Sequence, residues 1–200
     1  ALATAATWLL IARLAAATLR LLGADEAAVE AGLRAPPLPA RGERFLVATG
    51  EPNERHQVEV LLDGAHDPAA ARRLLAEVGQ RPYALLFGAL GRKQGSAVLE
   101  VLAPGASQVV MTEAQAGEGQ VVNAPAGARF VPEPDTALAA ALDAALAAAL
   151  VTTLNTAPGT ALAAHNATPP AGSRPLLVVT GSLYLAGRIR PLLRARGVRQ

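Results

Sequence analysis

Short, continuous apolar runs alternate with helix-forming segments through residues 44–196, and this alternation restricts the fold more than any other feature. The runs lack the polar/apolar alternation of a half-exposed strand, so they predict strands that are buried on both faces. Helices between such strands provide the crossover connections that a parallel sheet requires. The sequence therefore predicts an α/β domain with a mostly parallel sheet flanked by helices.

The individual elements follow from the apolar runs and from their capping residues. The predicted strands cover residues 44–49, 58–62, 83–87, 108–111, 128–131 and 176–179. The predicted helices of this region cover residues 68–78, 95–102, 136–150 and 182–196, with Pro68 in a first turn and Asp135 as a cap. Residues 151–174 interrupt the alternation with Thr, Asn, Pro, Gly and Ala, and we expect them to form a mobile loop.

The first 34 residues follow a different pattern. Residues 3–22 predict one helix that ends at Gly23, and Asp25 can cap a second helix through residue 33. Arg13 interrupts the apolar run too early for a membrane span. The proline-rich stretch at 34–42 cannot be helical throughout, so we expect two domains, residues 1–34 and 35–200.

Composition excludes several classes of function. The chain contains no cysteine, which excludes disulfides and thiolate metal sites. Its formal net charge of +2 gives no reason to expect a nucleic-acid binder. We therefore expect a cytoplasmic protein that binds neither nucleic acid nor a membrane. Lys93 is the only lysine among 18 basic residues, which indicates either a need for its compact ammonium group or chance retention on a solvated loop.

Three segments follow predicted strands directly and carry the candidate functional residues. Residues 63–68 supply Asp63 and His66, residues 88–93 supply Lys93, and residues 180–182 supply Ser182 at a helix N-terminus. The carboxyl ends of parallel strands share one edge, which is where open α/β sheets bind ligands. We therefore expect the three segments to converge on one anion or nucleotide site.

These residues also allow purely structural interpretations. Asp67 is well placed to cap the helix at 68–78, and the same role at the last helix would explain Ser182. Asp63, at a strand end, is less suited to capping, which favours ligand contact. Taken alone, the residues predict a nucleotide-binding or anion-binding module without a defined reaction. A hydrolase that holds a metal through Asp63, His66 and Asp67 is a further alternative.

The motifs resemble one family in their order and spacing. Residues 63–68 read Asp-Gly-Ala-His-Asp-Pro, which resembles the Asp-Gly-Ala-His-Asn-Pro signature of folylpolyglutamate synthase and dihydrofolate synthase, members of the Mur ligase superfamily. Residues 180–185, Thr-Gly-Ser-Leu-Tyr-Leu, are similar to the closing signature of that family. Residues 87–90 with Lys93 resemble its central strand end, and residues 38–41 resemble the Pro-Gly-Arg that opens its C-terminal domain.

The resemblance implies a ligase that uses ATP and Mg²⁺ to activate a folate or dihydropteroate carboxylate as an acyl phosphate, which the amino group of L-glutamate then attacks. It implies that Arg41 and Asp63 contact the nucleotide, with His66 beside them. It implies catalytic roles for His66 and Lys93, and binding of the incoming glutamate by Lys93 and Ser182. It implies a Rossmann-like C-terminal domain. It assigns no metal ligand to this chain, and we expect a monomer.

The sequence departs from the family pattern in two respects. Asp67 replaces the usual Asn and Ala40 replaces the usual Gly, which leaves open which folate is the substrate. No phosphate loop of the form Gly-x-x-x-x-Gly-Lys-Ser/Thr occurs in the 200 residues. We therefore expect residues 1–34 to be the last helices of an incomplete ATP-binding domain, and the chain alone to be inactive.

Overall fold

The computed structural model describes residues 2–35, 38–50, 56–117, 122–156 and 174–199. The chain divides into two compact units, Ala1–Pro39 and Ala40–Gln200, at the proline-rich connector. The division falls five residues after the boundary that the sequence predicts, because the connector itself goes with the first unit.

The first unit consists of two helices, α1 (Leu2–Leu21) and α2 (Glu26–Arg34). Asp25 caps α2 as predicted, since its side chain accepts a hydrogen bond of 3.2 Å from the Ala28 amide. Nε of Arg20 donates to Oε2 of Glu26 at 2.7 Å and links the two helices. None of the helices in the described ranges combines the length and the hydropathy needed to cross a membrane.

The second unit is a seven-stranded sheet with helices on both faces. In chain order its elements are β1 (Glu43–Thr49), β2 (His56–Leu62), α3 (Pro68–Val78), β3 (Tyr83–Phe87), α4 (Arg92–Leu102), a short 3₁₀ turn (Ala103–Gly105), β4 (Ala106–Met111), β5 (Arg129–Phe130), α5 (Pro134–Thr156), β6 (Leu176–Thr180), α6 (Leu183–Arg196) and β7 (Gly197–Arg199). The order across the sheet is β5-β4-β3-β6-β2-β1-β7.

The predicted fold class is confirmed, with an addition at one edge. Strands β5, β4, β3, β6 and β2 pair in parallel. β1 is antiparallel to both β2 and β7, so the sheet is mixed at that edge only. β7 was not predicted, because three residues are too few to show any periodicity. Gly197 is required there, since a Cβ would lie 2.6 Å from the carbonyl oxygen of Leu46.

Both faces of the central strands are buried, which explains their continuous apolar runs. In β2, Val58, Val60 and Leu62 face the cluster that also contains residues of α5 and α6. Leu61 faces the opposite cluster, which contains residues of α3 and α4. Alternate residues of one strand therefore serve two separate cores.

Three helix boundaries in the second unit differ from the prediction by two or more residues. α5 begins at Pro134, so Asp135 lies inside its first turn rather than at the cap. The same helix continues to Thr156, and the predicted loop therefore loses residues 151–156; residues 157–173 lie outside the described ranges. α4 begins at Arg92 and not at Gly95, because Gly91 with φ of 80° provides the helix start without a side-chain cap.

Candidate functional site

Three loops meet at the edge where β2, β3 and β6 end. The amide of Gly181 donates to the carbonyl oxygen of Ala65 at 3.1 Å, and the amide of Gly88 donates to that of Thr180 at 3.2 Å. These bonds place the loop after β6 between the loops after β2 and β3. The predicted convergence of the three strand-end segments is confirmed.

Two glycines at this edge are required by backbone packing. Gly181 has φ of 112°, and a Cβ there would lie 2.7 Å from the carbonyl oxygen of Gly88. At Gly88 a Cβ would lie 2.8 Å from the carbonyl oxygen of Thr112. Their presence therefore follows from the close approach of the loops, and it is not by itself evidence for a phosphate site.

Arg41 reaches the same edge because β1 runs antiparallel to β2. Glu43 is paired with Leu62, so the first residue of β1 lies beside the last residue of β2. Arg41 precedes β1 by two residues. An antiparallel edge strand thus carries a residue from its amino end to the carboxyl edge of the parallel strands.

The turn that carries Arg41 is bonded to the loop after β2. The amide of Gly64 donates to the carbonyl oxygen of Ala40 at 2.8 Å. The amide of Gly42 donates to Oδ2 of Asp63 at 2.9 Å. Ala40 has φ of 56°, a conformation that costs a non-glycine residue free energy. The two cross-loop bonds fix the backbone on either side of Arg41.

Asp63 is a buried carboxylate with only 2% of its surface exposed. Its Oδ2 accepts from the Gly42 amide and lies 3.5 Å from Nη2 of Arg73. Burial raises the pKa of Asp63, and the charge of Arg73 opposes the increase. The Ala65 amide favours the ionised carboxylate and so also opposes the increase in pKa. The distance and angle of this amide do not make a hydrogen bond to Oδ1. Among the described residues Oδ1 is buried and has no hydrogen-bond partner, so its capacity to accept a hydrogen bond is unused.

The two arginines near Asp63 are engaged differently. Arg73, on α3, forms the ion pair with Asp63 and is 28% exposed. Arg41 is half-buried and acts on Asp63 through its charge, but within the described part of the chain it forms no hydrogen bond or ion pair. No described residue accepts a hydrogen bond from the planar guanidinium of Arg41, so its N–H groups can donate to another group.

His66 and Asp67 lie in the same loop with different environments. Nδ1 of His66 is 3.0 Å from the carbonyl oxygen of Gly64, and this hydrogen bond requires the proton on Nδ1, so Nε2 is the acceptor in the neutral ring. His66 is exposed. Oδ1 of Asp67 accepts from the Ala70 amide at 2.9 Å, so Asp67 is the N-cap of α3. That bond is the main cause that lowers the pKa of Asp67.

Ser182 and Lys93 lie at the beginnings of two helices. Ser182 is 4% exposed, and its Oγ accepts from the Tyr184 amide at 3.0 Å as the N-cap of α6. The capping role that the sequence allowed for Ser182 is thus present. Lys93 lies in the first turn of α4 rather than on a loop, and its side chain is outside what the structure describes.

The metal-site alternative does not match the geometry. No group of three or more His, Cys, Asp or Glu side chains in the described ranges is placed to hold a metal ion. Asp63 is directed to Gly42 and Arg73, whereas Asp67 caps a helix. These two carboxylates and His66 therefore do not form the site that a metal hydrolase needs.

Two contributors to the site were not predicted. Arg73 pairs with Asp63. Oγ1 of Thr180 donates to the carbonyl oxygen of Ala65 at 3.3 Å and joins two of the loops. One sequence signal pointed to Arg73. It is a basic residue on the second turn of the helix that follows an acidic residue at a strand end. The sequence could not separate it from Arg72, because the choice depends on the phase of α3.

The fold and this edge define an α/β domain whose loops converge at the carboxyl ends of the parallel strands, where open α/β sheets bind ligands. The model of the family described as Mur ligase, glutamate ligase domain, matches residues 44–183 of the chain. The chain belongs to the Mur ligase glutamate ligase domain family. The resemblance seen in the sequence motifs is confirmed at this level.

Solved structures of folate ligases have the same fold. Folylpolyglutamate synthase from Mycobacterium tuberculosis, complexed with ADP and AMPPCP, is 24% identical with a TM-score of 0.54, over 88% of this chain and 37% of that one. A bifunctional folylpolyglutamate synthase/dihydrofolate synthase from Yersinia pestis is 20% identical with a TM-score of 0.51, over 84% of this chain and 34% of that one. The chain thus spans little more than a third of the length of either. Comparison with curated proteins gave no match.

Proposed function

We propose that this chain is the nucleotide-facing, C-terminal part of an ATP-dependent ligase that adds L-glutamate to a folate or pteroate carboxylate. The observation that carries the proposal is the buried, unpaired Oδ1 of Asp63, close to the unpaired guanidinium of Arg41 within the described residues. Membership of the Mur ligase glutamate ligase domain family supports the class of reaction. The Mycobacterium tuberculosis structure with ADP supports the class of ligand.

Asp63 and Arg41 have the chemistry to recognise the two ends of a nucleoside diphosphate. An ionised carboxylate accepts strong, charge-assisted hydrogen bonds, so Oδ1 of Asp63 can hold a ribose hydroxyl. The planar fork of Arg41 matches the oxygens of a phosphate group. His66 lies three residues after Asp63 in the same loop, and Nε2 of its neutral ring can accept a hydrogen bond from a ligand. ADP or ATP meets all three requirements at once.

Lys93 and Ser182 are the proposed contacts of the incoming glutamate. Both lie at helix N-termini, where backbone N–H groups attract anions. A basic residue in the first turn of a helix is opposed by the helix dipole, which favours a role for Lys93 in holding an anion. The two carboxylates of glutamate are anions of this kind.

The proposed reaction has two steps. A carboxylate oxygen of the folate attacks the γ-phosphorus of ATP, and ADP leaves. The glutamate amine then attacks the acyl carbon and loses a proton, phosphate leaves, and an amide bond forms. Closure of the domain over the nucleotide keeps water from the acyl phosphate.

We assign catalytic roles in this reaction to His66 and Lys93. His66 offers a ring nitrogen as a proton acceptor, and Lys93 offers a cation for phosphoryl charge. Magnesium supplies further neutralisation of the phosphates when ATP is bound. The described residues contain no group that fits a metal ion, so no step that we assign to this chain uses a metal ligand.

The first unit is proposed to belong with an ATP-binding domain. Its helix α1 exposes large apolar side chains, among them Leu10 and Leu14 at 68% each. Exposed apolar surface of this kind is typical of an interface. Since the 200 residues also contain no phosphate loop, we expect them to bind nucleotide but to give no glutamate-dependent conversion of ATP to ADP.

A titration followed by NMR tests the proposal. On addition of ADP to the ¹⁵N-labelled chain, we expect the largest amide shifts at residues 40–42, 63–66 and 181–184. The amides of Ala106 and Tyr83, at the opposite edge of the sheet, serve as the control, and their chemical shifts should not change. Shifts spread evenly over both edges, or no shifts at millimolar ADP, would contradict a nucleotide site at this edge.

The second candidate is a nucleotide-binding module without catalysis of its own. The lack of a phosphate loop in these 200 residues favours it. The coding sequence upstream of Ala1 separates the two candidates. A phosphate loop in the same reading frame supports the ligase, whereas an initiation codon directly before Ala1 supports the module.

A further inference from the structure

A second buried carboxylate lies close to the Arg41 turn and takes no part in the contacts proposed above. The side chain of Glu43, the first residue of β1, is 2% exposed. Arg190 of α6 binds it through two hydrogen bonds, from Nε to Oε2 at 2.7 Å and from Nη2 to Oε1 at 2.9 Å. The pair joins two segments 147 residues apart in sequence.

Glu43 also holds the backbone of the turn. Its Oε2 accepts a hydrogen bond of 3.2 Å from the amide of Ala40. Ala40 is the residue with φ of 56°, and a non-glycine residue keeps such a conformation only where its surroundings determine it. The residue before Arg41 is therefore fixed through its amide by Glu43 and through its carbonyl oxygen by the Gly64 amide.

The orientation of Glu43 depends in turn on Arg190. A carboxylate with 2% exposure has almost no contact with water, so its position is set by its protein partners. The two parallel bonds from one guanidinium fix both oxygens of the carboxylate in one plane. Without them, Oε2 loses the partner that directs it toward the Ala40 amide.

We propose that Arg190, acting through Glu43, is a positioning residue that holds the Ala40–Arg41 backbone in the orientation in which Arg41 binds a nucleotide phosphate. This inference rests on the proposed nucleotide site. Arg190 does not contact the ligand. The last helix of the domain is thereby coupled to phosphate binding through one buried carboxylate.

The test compares ADP with adenosine by calorimetry on the 200-residue chain. In Arg190→Met, a displaced Arg41 should weaken ADP binding by about tenfold to a hundredfold, as misplacement of one group by about an ångström does. Adenosine lacks the phosphates, so its affinity should not change. Arg190→Lys, which keeps the charge but not the two parallel bonds, should fall between Arg190→Met and the wild type.

Two further variants show whether the effect passes through Arg41. In an Arg41→Ala background, Arg190→Met should weaken ADP binding no further, because the group that it positions is already gone. Arg194→Met is the matched control, because Arg194 lies on the same helix, is exposed and forms no ion pair with any described residue. Its ADP affinity should equal that of the wild type.

The outcomes separate this inference from the function on which it rests. If the wild type binds ADP, Arg41→Ala loses affinity and Arg190→Met does not, the positioning role is wrong and the nucleotide site remains. Equal losses for ADP and adenosine in Arg190→Met would indicate a general loss of structure and would also overturn it. If the wild type binds no ADP, both proposals fall.

Discussion

Asp63 is the residue at which burial and charge conflict most directly in the proposed site. Its carboxylate is almost fully buried, and only one of its two oxygens is hydrogen-bonded by described residues. Leaving a buried acceptor without a partner costs roughly 1–3 kcal/mol in proteins. A ligand hydroxyl at Oδ1 would recover part of that free energy, which is a physical reason to place a ligand there.

Replacing Asp63 by Asn is expected to stabilise the chain increasingly as the pH rises. Burial raises the pKa of Asp63, so the folded chain keeps this proton to a higher pH than the unfolded chain does. The wild type therefore loses stability from about pH 4 upward, through the folded-state pKa, and Asp63→Asn lacks that loss. Urea unfolding at pH 3 and pH 7 measures the difference. If the free energy of unfolding of Asp63→Asn falls relative to that of the wild type between pH 3 and pH 7, burial is not the main influence on the pKa of Asp63.

Asp67 should show the opposite dependence on pH. The Ala70 amide lowers the pKa of Asp67, so its stabilisation is present above the ordinary pKa of Asp and is lost as the pH falls through the folded-state value. Asp67→Ala should cost about 1 kcal/mol at pH 7, the usual contribution of an N-cap. Asp67→Asn is the control, since Asn caps equally well, and it should unfold in urea close to the wild type at pH 7. An Asn variant as unstable as the Ala variant would exclude the capping role.

At the scale of elements, the connections after the strands determine whether the site forms. The loop from β6 to α6 passes through Gly181 at φ of 112°, with the Gly88 carbonyl oxygen in the space of a side chain. Gly181→Ala should therefore destabilise the chain by at least about 2 kcal/mol. Gly187→Ala is the matched control six residues later, because nothing lies within 4 Å of a Cβ there.

Gly187 lies inside α6, and alanine is the better helix former. Gly187→Ala should therefore stabilise the chain by roughly 0.5–1 kcal/mol. Urea unfolding of both variants measures these changes in the free energy of unfolding. If Gly181→Ala and Gly187→Ala change the free energy of unfolding in the same direction, the packing of the strand-end loops has been misjudged.

Most elements of the second unit were predictable from local patterns, and β7 was not. Residues 68–78 and 83–87 form α3 and β3 within the predicted limits, since a cap, a proline and a continuous apolar run mark them. The pairing of β7 depends on a distant partner, which no local pattern records. The antiparallel direction of β1 follows from its short connection to β2, because a parallel pair needs a crossover of about a dozen residues or more. α5 extends past its predicted end through Val, Thr, Thr, Leu, Asn and Thr, which are mostly weak helix formers but include neither glycine nor proline to stop the helix.

At the scale of the whole molecule, the parallel order of the strands made part of the site predictable. It places the residues after β2, β3 and β6 at one edge wherever the sequence alternates between strand and helix. The link from Arg190 to Glu43 could not be predicted, because it depends on where the last helix lies across the sheet. The roles of Arg41, His66, Lys93 and Ser182 stay predictions.

The affinity of the chain for ADP, measured by calorimetry for the wild type and for Asp63→Asn, tests the central claim most directly. We expect the wild type to bind ADP and Asp63→Asn to bind it at least ~10-fold more weakly, because a charged hydrogen bond to the ribose is lost. Unfolding in urea at the same pH confirms that both are folded. No binding by the wild type, or equal affinity of the two, would show that the strand-end carboxylate is not a nucleotide contact.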